Sequence, residues 1–122
     1  MLPEDTNRRY NFPKAELHCH LDGSFRLSTC IELAKERGIE LPSYDESELR
    51  SIVGLEKRFP NLVEYLQNFK ITTPIFAADK DALSRLTIEA IEDKHKQGVS
   101  YIEFRFCPFL FANCNVSDIT EA

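Results

Sequence analysis

Three residues at alternate positions, His18, His20 and Asp22, carry the clearest chemistry in this chain of 122 residues. They close a run from Lys14 to Leu21 whose odd positions, Ala15, Leu17, Cys19 and Leu21, are apolar and whose even positions, Glu16, His18 and His20, are ionisable. Alternation of that kind is the period of a strand with two unlike faces. Side chains two apart on such a strand share a face at about 6.5 to 7 Å spacing, so two imidazoles can lean onto one ion. Zinc accepts neutral imidazole at roughly 2.0 to 2.1 Å, which makes His-x-His a compact half-site needing further donors from elsewhere. The plain alternative is two polar residues on a strand's wet face. Asp22 and Gly23 favour the site, because they put a carboxylate and a turn at the strand's carboxyl end, where parallel α/β folds build their sites.

Holding these residues in place requires a second strand and helices to cover both. Residues 1–13 are polar, show no period and end in Pro13, so they form an extended lead-in to one domain over residues 14–122. Ser28 as N-cap predicts a helix over Thr29 to Arg37, with Ile31, Leu33 and Ala34 on its apolar side and Gly38 as the stop. A further short helix is expected from Asp45 to Val53, before Gly54. From Asn61 to about Phe69, Leu62, Tyr65, Leu66 and Phe69 fall at i, i+3, i+4 and i+7, one continuous helical stripe that Pro74 limits or kinks. Asp79 as N-cap opens a long helix to Gln97, with Leu83, Leu86, Ala90 and Ile91 on one face and Gly98 ending it. Val99 to Cys107, rich in β-branched and aromatic residues and closed by Pro108, is the second strand. Asp118 would then cap a new helix, with Glu121 completing a capping box. Strand, helices, strand and the start of a helix, joined by long connections, open an α/β fold with parallel strands.

Composition narrows the partners. Twenty acidic residues against 15 basic ones give a charge of −5, and no Lys/Arg cluster exceeds a dipeptide, so nucleic acid and anionic membranes are poor partners. No apolar run approaches the ~18 residues of a membrane span, and MLPEDTNRRYNF lacks the apolar region of a signal peptide, which predicts a cytoplasmic protein. Cys19, Cys30, Cys107 and Cys114 form no CxxC pair and are expected to be reduced thiols. Cys19 and Cys107 should pack as small hydrophobes, and His95 should be a solvated helix residue.

Two segments carry a family resemblance. PKAELHCHLDGS, Pro13 to Ser24, resembles the first barrel strand of adenosine deaminases, members of the metal-dependent amidohydrolase superfamily. GVSYIEFRFCPFLFAN, Gly98 to Asn113, is similar to the family's second strand and the loop after it. The spacing between the two blocks fits as well, so the likeness runs through nearly the whole chain from Pro13.

The resemblance implies a TIM (β/α)8 barrel that hydrolyses the 6-amino group of adenosine, yielding inosine and ammonia for purine salvage, with a Zn2+ cofactor supplying activated water. It makes His18 and His20 metal ligands, with His20 also beside the substrate, and Asp22 the acceptor for the ribose 5′-hydroxyl. Leu62, Tyr65, Leu66 and Phe69 match an apolar helix that gates the substrate pocket, a role compatible with ordinary core packing. Nothing here reads the 2′ position, so deoxyadenosine is implied too. Glu103 and Arg105 share a strand face, where a buried ion pair fixing the barrel wall is favoured over catalysis.

The family's remaining ligands and its proton-transfer residues fall beyond residue 122, so no catalytic residue is expected in this chain. An eight-stranded barrel takes about 250 residues, and only its first two strands are recognised here. The chain is therefore expected to be an amino-terminal portion, inactive alone, of an enzyme of unknown oligomeric state acting on a small-molecule nucleoside. Two rivals remain: a deaminase of adenine or of a methylated adenine nucleotide, against which Asp22 argues, and a non-catalytic short product.

Overall fold

Among the described residues two strands, β1 (Lys14–His20) and β2 (Val99–Arg105), run parallel and side by side, with five α-helices in the connection between them. In this computed structural model residues 12–54 and 58–107 are described. A 3-10 turn, Leu21–Gly23, leaves β1. The helices follow as α1 (Leu27–Arg37), α2 (Glu46–Ile52), α3 (Leu62–Gln67), α4 (Phe69–Phe76) and α5 (Lys80–Lys96). Parallel neighbours need such a crossover, since a tight turn cannot reverse the chain twice.

The caps show how the sequence sets these boundaries. Asp45 accepts from the Glu48 N–H at 2.9 Å, Asn61 from the Glu64 N–H at 3.0 Å, and Asp79 from the Ala82 N–H at 2.8 Å, each satisfying a donor that the first helical turn leaves free. Gly38 ends α1 with φ +65, and Gly98 stands between α5 and β2 with φ +81, a left-handed backbone that costs glycine little.

Several expectations are corrected. α1 begins at Leu27 rather than Thr29, with Arg26, not Ser28, at its N-cap position. Packing overrides the capping preference here, because Leu27 is buried and Arg26 grips Asp93 of α5 through two hydrogen bonds of 2.7 and 2.9 Å. The stripe from Asn61 to Phe69 is divided between α3 and α4. The break falls at Asn68, whose side-chain amide donates to the Tyr65 carbonyl at 3.2 Å, while Pro74 lies within α4. Ile91 is exposed, because the buried face of α5 runs through Ala82, Leu83, Leu86 and Ala90. β2 stops at Arg105, two residues short of Cys107, and Cys107 is exposed rather than packed. Glu103 and Arg105 are exposed as well, and Glu103 accepts a hydrogen bond from the Tyr101 hydroxyl at 2.8 Å instead of forming a buried pair. Pro108, Cys114, the Asp118 cap and most of the lead-in lie outside the described residues.

The core sits between α1, α4 and α5. Leu33, Ile75, Phe76, Leu83 and Leu86 are fully buried there, with Phe104 of β2 packed against them and Phe25 edge-on to Phe76 at 5.0 Å. Ion pairs fasten the same helices: Arg37 with Asp79, Arg26 with Asp93, and Arg85 with Glu32. The Arg37 guanidinium holds the Asp79 carboxyl below the usual carboxylate range by hydrogen bonding, and Arg26 does the same to Asp93. These pairs face solvent and each is worth at most about 1 kcal/mol, so apolar burial carries the packing energy.

Candidate functional site

The site residues stand where β1 ends. Lys14 anchors the strand's start, its N–H donating to the Gly98 carbonyl at 2.9 Å, and His20 lies opposite Arg105 at the other end of the ladder. The register shifts between Glu16 and Cys19, so the simple alternation fails early in the strand: Leu17 is exposed, and Glu16 turns to Lys94 of α5 at 4.0 Å. From His18 onward it holds, with Cys19 buried and both histidines exposed on the opposite face.

That face opens on a cleft of about 850 Å³ at the carboxyl ends of both strands, lined by His18, His20, Asp22, Tyr65, Phe69 and Arg105 among others. His18 Nε2 and His20 Nε2 are 3.3 Å apart, with ring centroids 5.3 Å apart and planes 38° to each other. Two donors on a tetrahedral ion at about 2.05 Å are separated by about 3.3 to 3.4 Å, so the separation of this pair matches that of two ligands on one zinc. Among the described residues no group of three or more His, Cys, Asp or Glu converges to hold a metal, which makes the pair a half-site.

Asp22 differs from every other carboxylate in the described structure. Its Oδ1 is buried with no hydrogen-bond partner, and the nearest cation-capable atom, His20 Nδ1, is 3.8 Å away, too far for a hydrogen bond. A buried acceptor without a donor costs about 1 to 3 kcal/mol, which a ligand hydroxyl would recover. Gly23 keeps a negative φ, and a Cβ built there meets no atom within 4 Å. The glycine thus serves no backbone need, and it borders the open cleft beside Asp22.

Of the apolar residues expected at the gate, Tyr65, Leu66 and Phe69 line the cleft, with Tyr65 edge-on to Phe69 at 5.6 Å. Leu62 is 67% exposed and does not line it. Sequence reasoning missed Ser24 as a lining residue and assigned Arg105 to the wall alone. Arg105 was findable, because it shares the strand parity of Glu103 at the end where a site forms. Ser24 follows the turn and belongs to no periodic pattern. Cys30 is excluded from chemistry: burial, with Glu89 nearby, pushes its thiol up to about 12, so it stays protonated and packs as a small hydrophobe.

Solved structures share this fold. A zinc-bound amidohydrolase from Burkholderia ambifaria matches 99% of this chain with a TM-score of 0.74 and 22% identity, the match covering 33% of its own length. An N6-mAMP deaminase from Arabidopsis matches 95% with a TM-score of 0.67 and 26% identity, covering 34% of its length. These likenesses place the chain in the class of α/β proteins with parallel strands. Within that class the sequence matches the adenosine deaminase family over residues 13–122, and the chain belongs to that family. It is 43% identical over 112 residues to a probable adenosine deaminase of Dictyostelium discoideum, 43% over 100 residues to the adenosine deaminase of Clostridium perfringens, and 41% over 107 residues to that of Mus musculus. These matches cover 90%, 82% and 88% of this chain, and the chain spans 14%, 30% and 30% of those relatives.

Proposed function

We propose that residues 14–122 form the opening segment of a zinc-dependent barrel deaminase, which hydrolyses adenosine to inosine and 2′-deoxyadenosine to 2′-deoxyinosine, each with release of ammonia, in purine salvage. One observation carries this reading: two imidazole nitrogens at a zinc-like separation of 3.3 Å share a cleft with a buried, unpartnered carboxylate oxygen. His18 and His20 hold the metal, which supplies the Lewis acidity that makes water a nucleophile near neutral pH. Asp22 accepts the hydrogen bond of the ribose 5′-hydroxyl and so fixes the nucleoside's distance from the metal. Tyr65, Leu66 and Phe69 cover the flat apolar base and keep bulk water from it. The proton-transfer groups and the remaining metal donors come from residues outside this segment. Unpaired thiols at Cys19, Cys30 and Cys107 suit a reducing cytoplasm. No helix among the described residues is long and apolar enough to cross a membrane.

The likeness to an N6-mAMP deaminase supports a second reading, a methylated nucleotide as substrate. Asp22 argues against it, since a 5′-phosphate would bring like charges together at a poorly solvated carboxylate. The test is to purify the full-length enzyme and compare turnover of adenosine, adenine and N6-methyl-AMP, with the isolated 122-residue chain as the inactive control. Adenosine should dominate, and the His18→Ala/His20→Ala double variant should lose its zinc by elemental analysis. One zinc per chain retained in that variant, or N6-methyl-AMP turned over best, overturns the assignment.

A further inference from the structure

The exit of β1 is fastened by a residue that does not belong to the strand. Ser24 Oγ lies 2.7 Å from the His20 carbonyl oxygen, the Ser24 N–H donates to the Leu21 carbonyl at 3.0 Å, and Cys19 Sγ lies 3.2 Å from the same Oγ. The direction of these bonds follows from the groups themselves. A hydroxyl carries one proton and accepts on two lone pairs, whereas a carbonyl only accepts. The Ser24 proton therefore goes to His20, and the Cys19 thiol is left to donate to Ser24. The result is a one-way chain from the Cys19 S–H through the Ser24 O–H to the His20 carbonyl.

Its ends are informative. Cys19 is buried between the two histidines in sequence, while the His20 carbonyl marks the last residue of β1. The chain spans the turn Leu21–Gly23, on which Asp22 sits. One side chain thus closes the loop that sets how both His20 and Asp22 leave the strand.

Resting on the zinc reading above, we propose that Ser24 is a positioning residue: its hydroxyl, backed by the Cys19 thiol, fixes the angle at which His20 is presented to the metal and Asp22 to the nucleoside. Groups that orient metal ligands commonly change metal affinity 10- to 100-fold when removed. The hydroxyl, rather than the bulk of the side chain, performs the task.

The test uses the full-length enzyme with Ser24→Ala, Ser24→Thr and Cys19→Ala, and His18→Ala as the reference. Metal affinity is measured by competition with a chelator, ligand geometry by the visible spectrum of the cobalt-substituted protein, and folding by the thermal midpoint of the metal-free protein. Ser24→Ala should bind metal about 10-fold more weakly and shift the cobalt bands, with a metal-free midpoint close to wild type. Ser24→Thr, which keeps the hydroxyl, should restore both. Cys19→Ala should give a smaller loss of about 2- to 3-fold, because the bond from Ser24 to His20 survives. Wild-type affinity and spectrum in Ser24→Ala, or equal losses in the Ala and Thr variants, overturn the proposal. Should Ser24→Ala fail to fold, the decision passes to Cys19→Ala, where an unchanged affinity and spectrum overturn it. If His18→Ala keeps its metal, the zinc reading itself fails, an outcome distinct from failure of the role given to Ser24.

Discussion

The helical side and the strand side of this molecule treat the same kinds of residue in opposite ways. Between α1 and α5 each exposed carboxylate of the main ion pairs meets a guanidinium, Asp79 with Arg37 and Asp93 with Arg26, above a closed apolar core. At the carboxyl ends of β1 and β2, one carboxylate oxygen of Asp22 is buried without a donor, and two imidazoles face each other across 3.3 Å. Matched charges on one side hold helices together. An unanswered carboxylate oxygen on the other marks where a ligand's donor can bind. Charge density therefore says less about function here than whether each charge is answered.

The contrast can be broken most forcefully in the core. Phe76→Ala should cost about 3 to 5 kcal/mol in urea unfolding of the full-length protein, from lost burial and the cavity left between α1, α4 and α5. The purified folded fraction should keep its zinc content, so loss of metal from that folded fraction would show that the two sides are not separable.

A smaller effect sharpens the other side. Asp22→Ala should lower kcat/KM for adenosine by about 1.5 to 3 kcal/mol, the range of a hydrogen bond to a charged group, and far less for 5′-deoxyadenosine. Its unfolding free energy should not fall, since the substitution removes a buried acceptor that lacks a partner. Equal catalytic losses on both nucleosides would remove Asp22 from the ribose.

The smallest effect lies in the ion pairs. The Asp79 carboxyl titrates lower in the folded protein than in the unfolded chain, because Arg37 hydrogen-bonds its charged form. Its stabilisation is thus fully present above the unfolded carboxylate value of about 3.9 and is lost as pH falls through the lower folded value. Arg37→Met should therefore lose at most about 1 kcal/mol near neutral pH, and its deficit against wild type should vanish under strongly acidic conditions. A deficit that grows with acid would contradict the sign.

Much of this was legible beforehand, for reasons that differ by element. His18, His20 and Asp22 stood out because a strand's period is short and both unlike faces fall within a few residues. The cap at Asp79 was readable because a capping bond spans only three residues. Arg26 at the start of α1 was not, since what places it there is Asp93, 67 residues away. The division of the Leu62–Phe69 stripe escaped for a local reason: the Asn68 amide competes for the Tyr65 carbonyl, which apolar spacing cannot register. Leu62 followed the helical period and still faces solvent, because period predicts a face and not what covers it. Ser24 was invisible because its partners are fixed by a turn rather than a repeat.

The pairing of β1 with β2 also has a history in time. Lys14 reaches Gln97 across 83 residues of chain, and closing so long a loop before other contacts form is entropically unfavourable. At synthesis rates of about 5 to 20 residues per second, β1 emerges some 4 to 17 s ahead of its partner. Helices form within microseconds, so α1 and α4 have time to meet before α5 and β2 arrive. During that interval His18 and His20 sit on a strand with no ladder to hold it. A metal captured then would meet two loosely tethered imidazoles, whereas one captured afterwards meets a pair already set in register. Nascent chains halted before Val99 should accordingly bind zinc no better than an unstructured His-x-His peptide.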